Sequence, residues 1–197
     1  MKKIVVASNN KGKIREFRQI LSSYEVLSLA DCNVNVDVEE TGKTFEENAL
    51  IKARAASKAL GCAVLADDSG LCVDALNGAP GVYSARYCGH HGSDAENRAT
   101  LLKNMQAITN RAAHFTCALA LVYPDGKEIL AEGHTYGNIL EQEDGDGGFG
   151  YDPLFWSVDL GKSFGKATEE EKNAVSHRYR GLQALLQKWQ ADENGAQ

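Results

Sequence analysis

The sequence has 197 residues, of which 43% are hydrophobic and 24% charged, a globular composition that excludes a disordered or collagen-like chain. With 21 basic and 27 acidic residues the net charge is −6, which argues against nonspecific nucleic-acid binding but allows a small anionic ligand in a local basic pocket. There are five cysteines without a Cys-x-x-Cys spacing, and the N-terminal apolar run is too short for a signal peptide. No stretch is long and apolar enough to span a membrane. These features predict a cytoplasmic protein that binds no membrane.

The first third of the chain predicts strands and helices in alternation. Short apolar runs over residues 4–7, 24–29 and 62–66 predict buried strands. Apolar side chains spaced three or four residues apart predict an amphipathic helix over 14–21, and a second helix is predicted over 44–61. The alternation of strand and helix favours parallel strand pairing.

One pattern marks the start of three predicted helices. A Ser or Thr followed three residues later by Glu is a capping box, and it occurs at Thr44, Ser93 and Thr168. A Pro-Asp-Gly turn between the apolar runs 115–123 and 128–136 predicts a hairpin, whose strands are antiparallel. We therefore expect an α/β fold with a mixed sheet.

A polar and basic turn follows the first predicted strand. The segment Ser8-Asn9-Asn10-Lys11-Gly12-Lys13 opens a helix, where free backbone N–H groups and the helix dipole favour an anion. The spacing of a P-loop is absent. The segment could bind phosphate, or it could be a solvated, basic helix start.

Two acidic segments could carry chemistry. Asp67-Asp68-Ser69-Gly70 follows a predicted buried strand, a position where α/β proteins carry catalytic groups. Adjacent carboxylates repel unless a cation or a proton neutralises them, and their hard oxygen atoms suit magnesium. The same residues could instead form a helix cap or a tight turn. Glu39-Glu40 lies in a polar loop over residues 30–43 and is typical of a solvated turn.

Three further segments could carry chemistry. The glycines of Gly147–Pro153 would let the backbone approach a ligand, and Phe149 could stack on a nucleobase, although a flexible loop is the alternative. On a continuous helix Lys172, Ser176 and Tyr179 would share one face, which suggests phosphate or base contact or simply exposure. His90-His91 could be a metal-binding pair, but no further ligand lies at a recognisable spacing, so we interpret it as surface loop.

Taken together, these segments resemble the inosine triphosphate pyrophosphatases, which clear non-standard purine nucleoside triphosphates. The resemblance runs from residue 4 to about 188. Its motifs are SNNKGK at 8–13, EETG at 39–42, FxxNAxxKA at 45–53, ADDSGL at 66–71, GAPGVYSAR at 78–86, GFGYDP at 148–153 and SHR at 176–178.

The resemblance implies a fold and a reaction. The fold is a single two-lobed domain over residues 1–197, with a bent mixed β-sheet, flanking helices and a central substrate cleft. The implied reaction is Mg²⁺-dependent hydrolysis of a nucleoside triphosphate, such as ITP, dITP or XTP, to the monophosphate and pyrophosphate. A homodimer is implied as well.

The resemblance also implies roles for single residues. Glu40 and Asp68 would hold the metal with Asp67 in support, and Asp68 would be the general base. Arg178, with His177, would donate to the 6-oxo group of hypoxanthine or xanthine, which adenine lacks. The residues implied to bind substrate are Ser8, Asn9, Asn10, Lys11, Gly12, Lys13, Lys52, Ser69, Phe149, Gly150, Tyr151, Asp152, Lys172, His177 and Arg178.

Three other functions compete with this one. A Maf-like pyrophosphatase for modified pyrimidine nucleotides would begin with a Ser-x-Ser-Pro-Arg-Arg type of loop, unlike residues 8–13. A nucleotide sensor without turnover would lack the acidic residues, whereas Glu40, Asp67 and Asp68 are present. A nucleic-acid-binding module is disfavoured by the negative net charge.

Overall fold

The computed structural model describes residues 2–91 and 93–195. The strands are β1 (Lys2–Val6), β2 (Tyr24–Ser28), β3 (Val64–Val73), β4 (Ala112–Val122), β5 (Glu128–Ile139), β6 (Phe155–Ser157) and β7 (Lys162–Ser163). The α-helices are α1 (Lys11–Ile20), α2 (Phe45–Leu60), α3 (Asp94–Asn104), α4 (Glu169–Val175) and α5 (His177–Gly195). Within the described ranges, no helix combines the length and the apolar character needed to cross a membrane.

The described strands form one mixed sheet in the order β2-β1-β3-β4-β5-β6-β7. β1 is parallel to β2 and to β3, whereas β6 is antiparallel to both β5 and β7. A tight turn between Tyr123 and Lys127 joins β4 to β5, as the Pro-Asp-Gly signal predicts. The predicted α/β class with a mixed sheet and flanking helices is confirmed. β6 and β7 were not predicted, because two or three residues are too few to show a periodicity.

The chain divides into two compact units. The first contains the described residues of Met1–Asp68, Cys117–Gly133 and Tyr179–Gln197, and the second contains Ser69–Thr116 and His134–Arg178. Each unit has buried apolar side chains of its own. Examples in the first are Phe17, Leu65, Leu119, Leu121 and Leu182, and in the second Leu71, Leu101, Leu154, Phe155 and Phe164. The single two-lobed domain stays a prediction.

The predicted helix starts are confirmed by their hydrogen bonds. Complete capping boxes form at Thr44, Ser93 and Thr168, where each side-chain hydroxyl accepts from the N–H three residues later and the Glu there accepts in return. α2 ends at Gly61, whose φ of 65° is the left-handed conformation that glycine adopts without strain. Local side-chain chemistry therefore sets these helix boundaries.

Two predicted boundaries are wrong. The strand expected over 62–66 continues to Val73, so Asp67 and Asp68 lie inside β3 rather than after it. Pairing with β4 in the sheet keeps the chain extended and overrides the turn signal. The helix expected through Ser176 is broken there, because this residue has an extended backbone with ψ of 154°, so Lys172 and Tyr179 do not share a continuous helix.

Candidate active site

Two adjacent carboxylates of β3 are buried in the first unit. Asp67 is only 1% exposed and Asp68 only 7%, although carboxylates are rarely buried without a partner. The partners come from the helices: Lys13 Nζ of α1 lies 3.0 Å from Asp67 Oδ2, and Lys52 Nζ of α2 lies 3.4 Å from Asp68 Oδ1. Each carboxylate therefore has its own lysine. Asp67 and Asp68 also lie beyond the pairing of β1 with β3, which ends at Leu65.

Glu40 joins this group from the polar loop before α2. Lys52 Nζ lies 3.3 Å from Glu40 Oε1, so one ammonium group contacts two carboxylates. We call Lys13, Glu40, Lys52, Asp67 and Asp68 the acidic set. Its three carboxylates face two lysines, which leaves one negative charge in excess.

The pKa shifts in the acidic set follow from burial and charge. Burial raises the pKa of Asp68 above its usual range, against the opposing effect of Lys52 and Lys13. Burial also works to lower the pKa of Lys52, but the charges of Asp68, Asp67 and Glu40 outweigh it, so the net shift is upward. Lys52 is therefore a charged ammonium group, and Asp68 is a more basic carboxylate than an exposed aspartate.

Asn48 ties the Glu40 loop to Asp68. Its Nδ2 donates to Asp68 Oδ2 at 3.1 Å, and its Oδ1 accepts from the N–H of Gly42 at 2.8 Å. Glycine is needed at position 42, because an added Cβ would lie 2.6 Å from Asn48 Oδ1 and 2.9 Å from Asn48 N. Asn48 is 2% exposed and positions both acidic segments. Sequence reasoning included it in a motif but gave it no role.

The acidic set has the donor chemistry that suits Mg²⁺. Its ligands would be carboxylate oxygens, which a hard cation prefers, and the excess negative charge calls for a further positive charge. Lys52 already stands near both Glu40 and Asp68, so a cation is tolerated there. Glu40 and Asp68, the two residues predicted to hold the metal, therefore both lie next to the ammonium group of Lys52.

The turn over residues 8–13 is built as a helix start. Asn10 is the N-cap of α1, and its side chain accepts from the N–H of Lys13 at 3.0 Å. Ser8 Oγ accepts from the N–H of Asn10 at 3.2 Å. Of the predicted phosphate-binding side chains in this turn, Lys13 reaches the acidic set, whereas Asn9 and Lys11 are exposed.

In the second unit a buried ion pair holds the glycine-rich loop. Lys172 Nζ lies 2.7 Å from Asp152 Oδ2, and both side chains are less than 10% exposed. The same Asp152 oxygen accepts from the N–H of Phe149 at 2.9 Å, and the Lys172 ammonium lies 4.4 Å from the centre of the Phe149 ring. Gly148 has φ of 74°, and a Cβ there would overlap the Asp152 carboxylate. We call Phe149, Asp152 and Lys172 the aromatic-loop set.

α3 holds the same loop from its N-terminal end. Asp94 Oδ2 accepts from the N–H of Gly150 at 2.7 Å, and Arg98 Nη1 donates to the Gly150 carbonyl at 2.9 Å. Tyr151 donates its hydroxyl to the Ser84 carbonyl at 2.7 Å, and burial raises the pKa of Tyr151. Sequence reasoning missed Asp94 and Arg98, and only the capping box before α3 indicated a helix start nearby.

The Ser176-His177-Arg178 motif is buried at the start of α5. Arg178 is 1% exposed, and its Nη2 donates to Ser69 Oγ at 3.1 Å. The His177 ring stacks on Phe115 with a centroid distance of 5.0 Å. A buried guanidinium can only donate hydrogen bonds, so it suits an acceptor group on a ligand.

The profile of the Ham1 family matches residues 4–188, almost the whole chain. The chain belongs to the Ham1 family. A curated relative of this Ham1 chain, the dITP/XTP pyrophosphatase of Clostridium perfringens (strain 13 / Type A), is 48% identical over 195 residues, covering 94% of this chain and 96% of the relative.

Solved Ham1 structures have the same fold. The Ham1 protein of Staphylococcus aureus gives a TM-score of 0.86 at 45% identity, covering 98% of this chain and 100% of the other. A HAM1 protein from Coxiella burnetii gives a TM-score of 0.87 at 38% identity, covering 97% of this chain and 100% of the other.

The predicted residues of this Ham1 chain fall into both units. Glu40, Lys52, Asp68 and the segment 8–13 lie in the first unit. Of that segment, Lys13 alone belongs to the acidic set as defined above. The residues in the second unit are Ser69, Phe149, Gly150, Tyr151, Asp152, Lys172, His177 and Arg178. Direct contacts join Ser69 to Arg178, and Asp152 to both Phe149 and Lys172.

The buried Asp152–Lys172 pair can be tested by removing its cation. We expect Lys172→Met to lower the free energy of unfolding by about 3–5 kcal/mol, because it leaves a buried carboxylate without its counter-charge. Lys166→Met is the matched control, since Lys166 pairs with Asp144 but its side chain is 58% exposed. Its cost should be about 0–1 kcal/mol in the same urea titration. Equal costs for both variants would contradict the structural role of the buried pair.

Proposed function

We propose that this chain hydrolyses non-standard purine nucleoside triphosphates, namely ITP, dITP and XTP, to the nucleoside monophosphate and pyrophosphate. Such a reaction removes these nucleotides before they enter DNA or RNA. The observation that carries the proposal is the acidic set, in which two buried carboxylates of one strand each contact a lysine. Membership of the Ham1 family and the similarity to a dITP/XTP pyrophosphatase support it.

The proposal includes a requirement for Mg²⁺, held by Glu40 and Asp68 with Asp67 in support. The bound ion would supply positive charge that stabilises the negative charge developing as pyrophosphate leaves. The excess negative charge of the acidic set supports this requirement. Side chains of the protein carry out the other steps of the proposed hydrolysis.

Asp68 is the proposed general base for the attacking water. Burial raises its pKa, so its carboxylate takes a proton more readily than an exposed aspartate does. Asn48 and Lys52 hold one oxygen each, at 3.1 and 3.4 Å, which fixes the orientation of the carboxylate. Since Asp68 is also a proposed metal ligand, Asp67 would share these duties.

The lysines of the acidic set are the proposed ligands of the phosphate groups. Lys13 and Lys52 each carry an ammonium group at the end of a side chain that is only 16% exposed. Lys13 also lies in the first turn of α1, where the helix dipole favours an anion. Ser69 and the segment 8–13 complete the proposed phosphate site.

Arg178 and His177 are the proposed readers of the base. The 6-oxo group of hypoxanthine and xanthine accepts a hydrogen bond from a guanidinium, whereas the 6-amino group of adenine would place a donor against a donor. Phe149 would stack on the base, with Gly150 and Tyr151 shaping the loop. Asp152 and Lys172 would hold Phe149 in place, as their contacts support.

The reaction is tested by pyrophosphate release in the presence of Mg²⁺ from inosine, xanthosine, adenosine and guanosine triphosphates. We expect rapid release from the first two, and a fall in kcat of about 10²–10⁴-fold in Asp68→Asn, because the proton acceptor is lost. Asp37→Asn, an exposed aspartate of the same unit, is the matched control and should keep full activity.

The outcomes of this assay separate the competing functions. Equal rates with all four nucleotides would support the hydrolase function but contradict the base-reading role of Arg178. No release from any of them would favour a binding module or a modified pyrimidine substrate. Full activity in Asp68→Asn would overturn the assignment of the general base.

Base reading is tested by Arg178→Ala. We expect the ratio of kcat/KM for inosine over adenosine triphosphate to fall roughly 10–100-fold, since one hydrogen bond from a charged donor is lost. Arg178→Lys keeps a positive donor and should give an intermediate ratio. An unchanged ratio in a folded Arg178→Ala protein would refute this role.

The proposal includes a homodimer in the cytoplasm, where nucleotide pools supply the substrate. Three large exposed apolar side chains support a protein contact: Tyr136 at 58%, Trp156 at 37% and Val158 at 64%. They lie together, because the N–H of Val158 donates to the Tyr136 carbonyl and Trp156 is on the paired strand β6.

The dimer contact is tested by the molar mass in solution. Light scattering should give twice the chain mass for the wild type and the chain mass for Tyr136→Glu, because burying a new charge opposes association. Tyr83→Glu is the control, since Tyr83 is 57% exposed but lies outside this patch. A monomeric wild type, or a dimer that Tyr136→Glu leaves intact, would contradict the proposed contact.

A further inference from the structure

Three potential metal ligands, a thiol, an imidazole and a carboxylate, meet before and within the first turn of α3. The ligand atoms of Cys88, His90 and Glu96 lie within 4.8 Å of one another. Among the residues that the structure describes, no other trio of His, Cys, Asp or Glu does so. His90-His91 was interpreted as surface loop for lack of a third ligand, and the fold supplies Cys88 and Glu96.

The distance between two of the ligand atoms matches that around a tetrahedral ion. Cys88 Sγ lies 3.4 Å from His90 Nδ1. A zinc ion with a sulfur ligand at about 2.3 Å and a nitrogen ligand at about 2.0 Å in tetrahedral geometry separates the two ligand atoms by about 3.5 Å. The thiol and the imidazole therefore already stand at the separation that such an ion requires.

Hydrogen bonds from neighbouring residues hold two of the ligands. Asn97, only 3% exposed, accepts from the N–H of Cys88 at 2.9 Å and donates to the Ala85 carbonyl at 3.2 Å. Glu96 Oε2 accepts from the N–H of Ser93 at 2.8 Å as part of the capping box. Ligands of metal sites are oriented by such outer contacts.

We propose that Cys88, His90 and Glu96 bind Zn²⁺ or a divalent transition ion of similar softness, with water as the fourth ligand. The thiol loses its proton to solvent as the sulfur–metal bond forms, and the imidazole binds in its neutral form. A thiolate and an imidazole disfavour Mg²⁺, which prefers oxygen. The ion is thus distinct in chemistry and position from the magnesium of the proposed reaction.

The bound ion would join the loop after Arg86 to the first turn of α3. That turn carries Asp94, and the next carries Arg98; both hold the backbone of Gly150. The site would therefore stabilise α3, the helix that positions the glycine-rich loop around Gly150.

Cobalt(II) titration of the chelator-treated full chain, kept reduced with a phosphine, tests this site. A thiolate–cobalt bond gives a near-ultraviolet charge-transfer band, whereas cobalt on the carboxylates of the acidic set gives none. We expect one equivalent of Co²⁺ per chain to produce the band, a stoichiometric amount of Zn²⁺ to remove it, and excess Mg²⁺ to leave it unchanged.

Variants assign the band to these residues. Cys88→Ser should abolish it, and His90→Ala should weaken Co²⁺ binding by more than about 100-fold, beyond the loss typical of an outer contact. Cys62→Ser, which removes a half-buried thiol of the first unit, is the control and should keep the band. His90 is exposed, so its variant stays informative if Cys88→Ser fails to fold. No band in the wild type, or a band lost in Cys62→Ser and kept in Cys88→Ser, would overturn the proposal.

Discussion

The burial of two adjacent carboxylates in β3 is the constraint on which the first unit depends. Removing a carboxylate from water costs several kcal/mol unless opposite charge and hydrogen bonds replace the lost hydration. Lys13 supplies that charge to Asp67 and Lys52 supplies it to Asp68, while Asn48 adds a hydrogen bond. Because these side chains come from α1 and α2, the need to neutralise β3 also fixes which helix turns face the strand.

The second unit also buries a carboxylate next to an ammonium group, but there the two charges balance. Asp152 and Lys172 form a buried pair of one carboxylate and one ammonium group, which is neutral and holds Phe149. In the acidic set three carboxylates share two lysines. The excess negative charge therefore suits a metal ion, whereas the neutral pair suits an uncharged base, and this difference matches the proposed roles of the two sets.

Features that depend on neighbouring residues could be predicted from the sequence. The capping boxes at Thr44, Ser93 and Thr168 and the hairpin turn formed as predicted. Features that depend on residues far apart in the sequence could not be predicted. Asn48 meets Asp68 from twenty residues away, and Cys88 meets Glu96 through a loop and a helix start. The pattern also failed where sheet pairing overrode a turn signal, as at Ser69-Gly70.

The position of Lys52 bears on the proposed metal ion. Its ammonium group lies 3.3 Å from Glu40 and 3.4 Å from Asp68, and it is the counter-charge of both in the structure. If Lys52 turns to a phosphate oxygen during the proposed reaction, both carboxylates lose that charge while more negative charge arrives. Burial, which raises the pKa of Asp68, would then favour its protonated form, and a protonated Asp68 cannot accept a proton from water. The proposed Mg²⁺, held by Glu40 and Asp68, would supply the positive charge that lets Lys52 bind phosphate while Asp68 stays ionised.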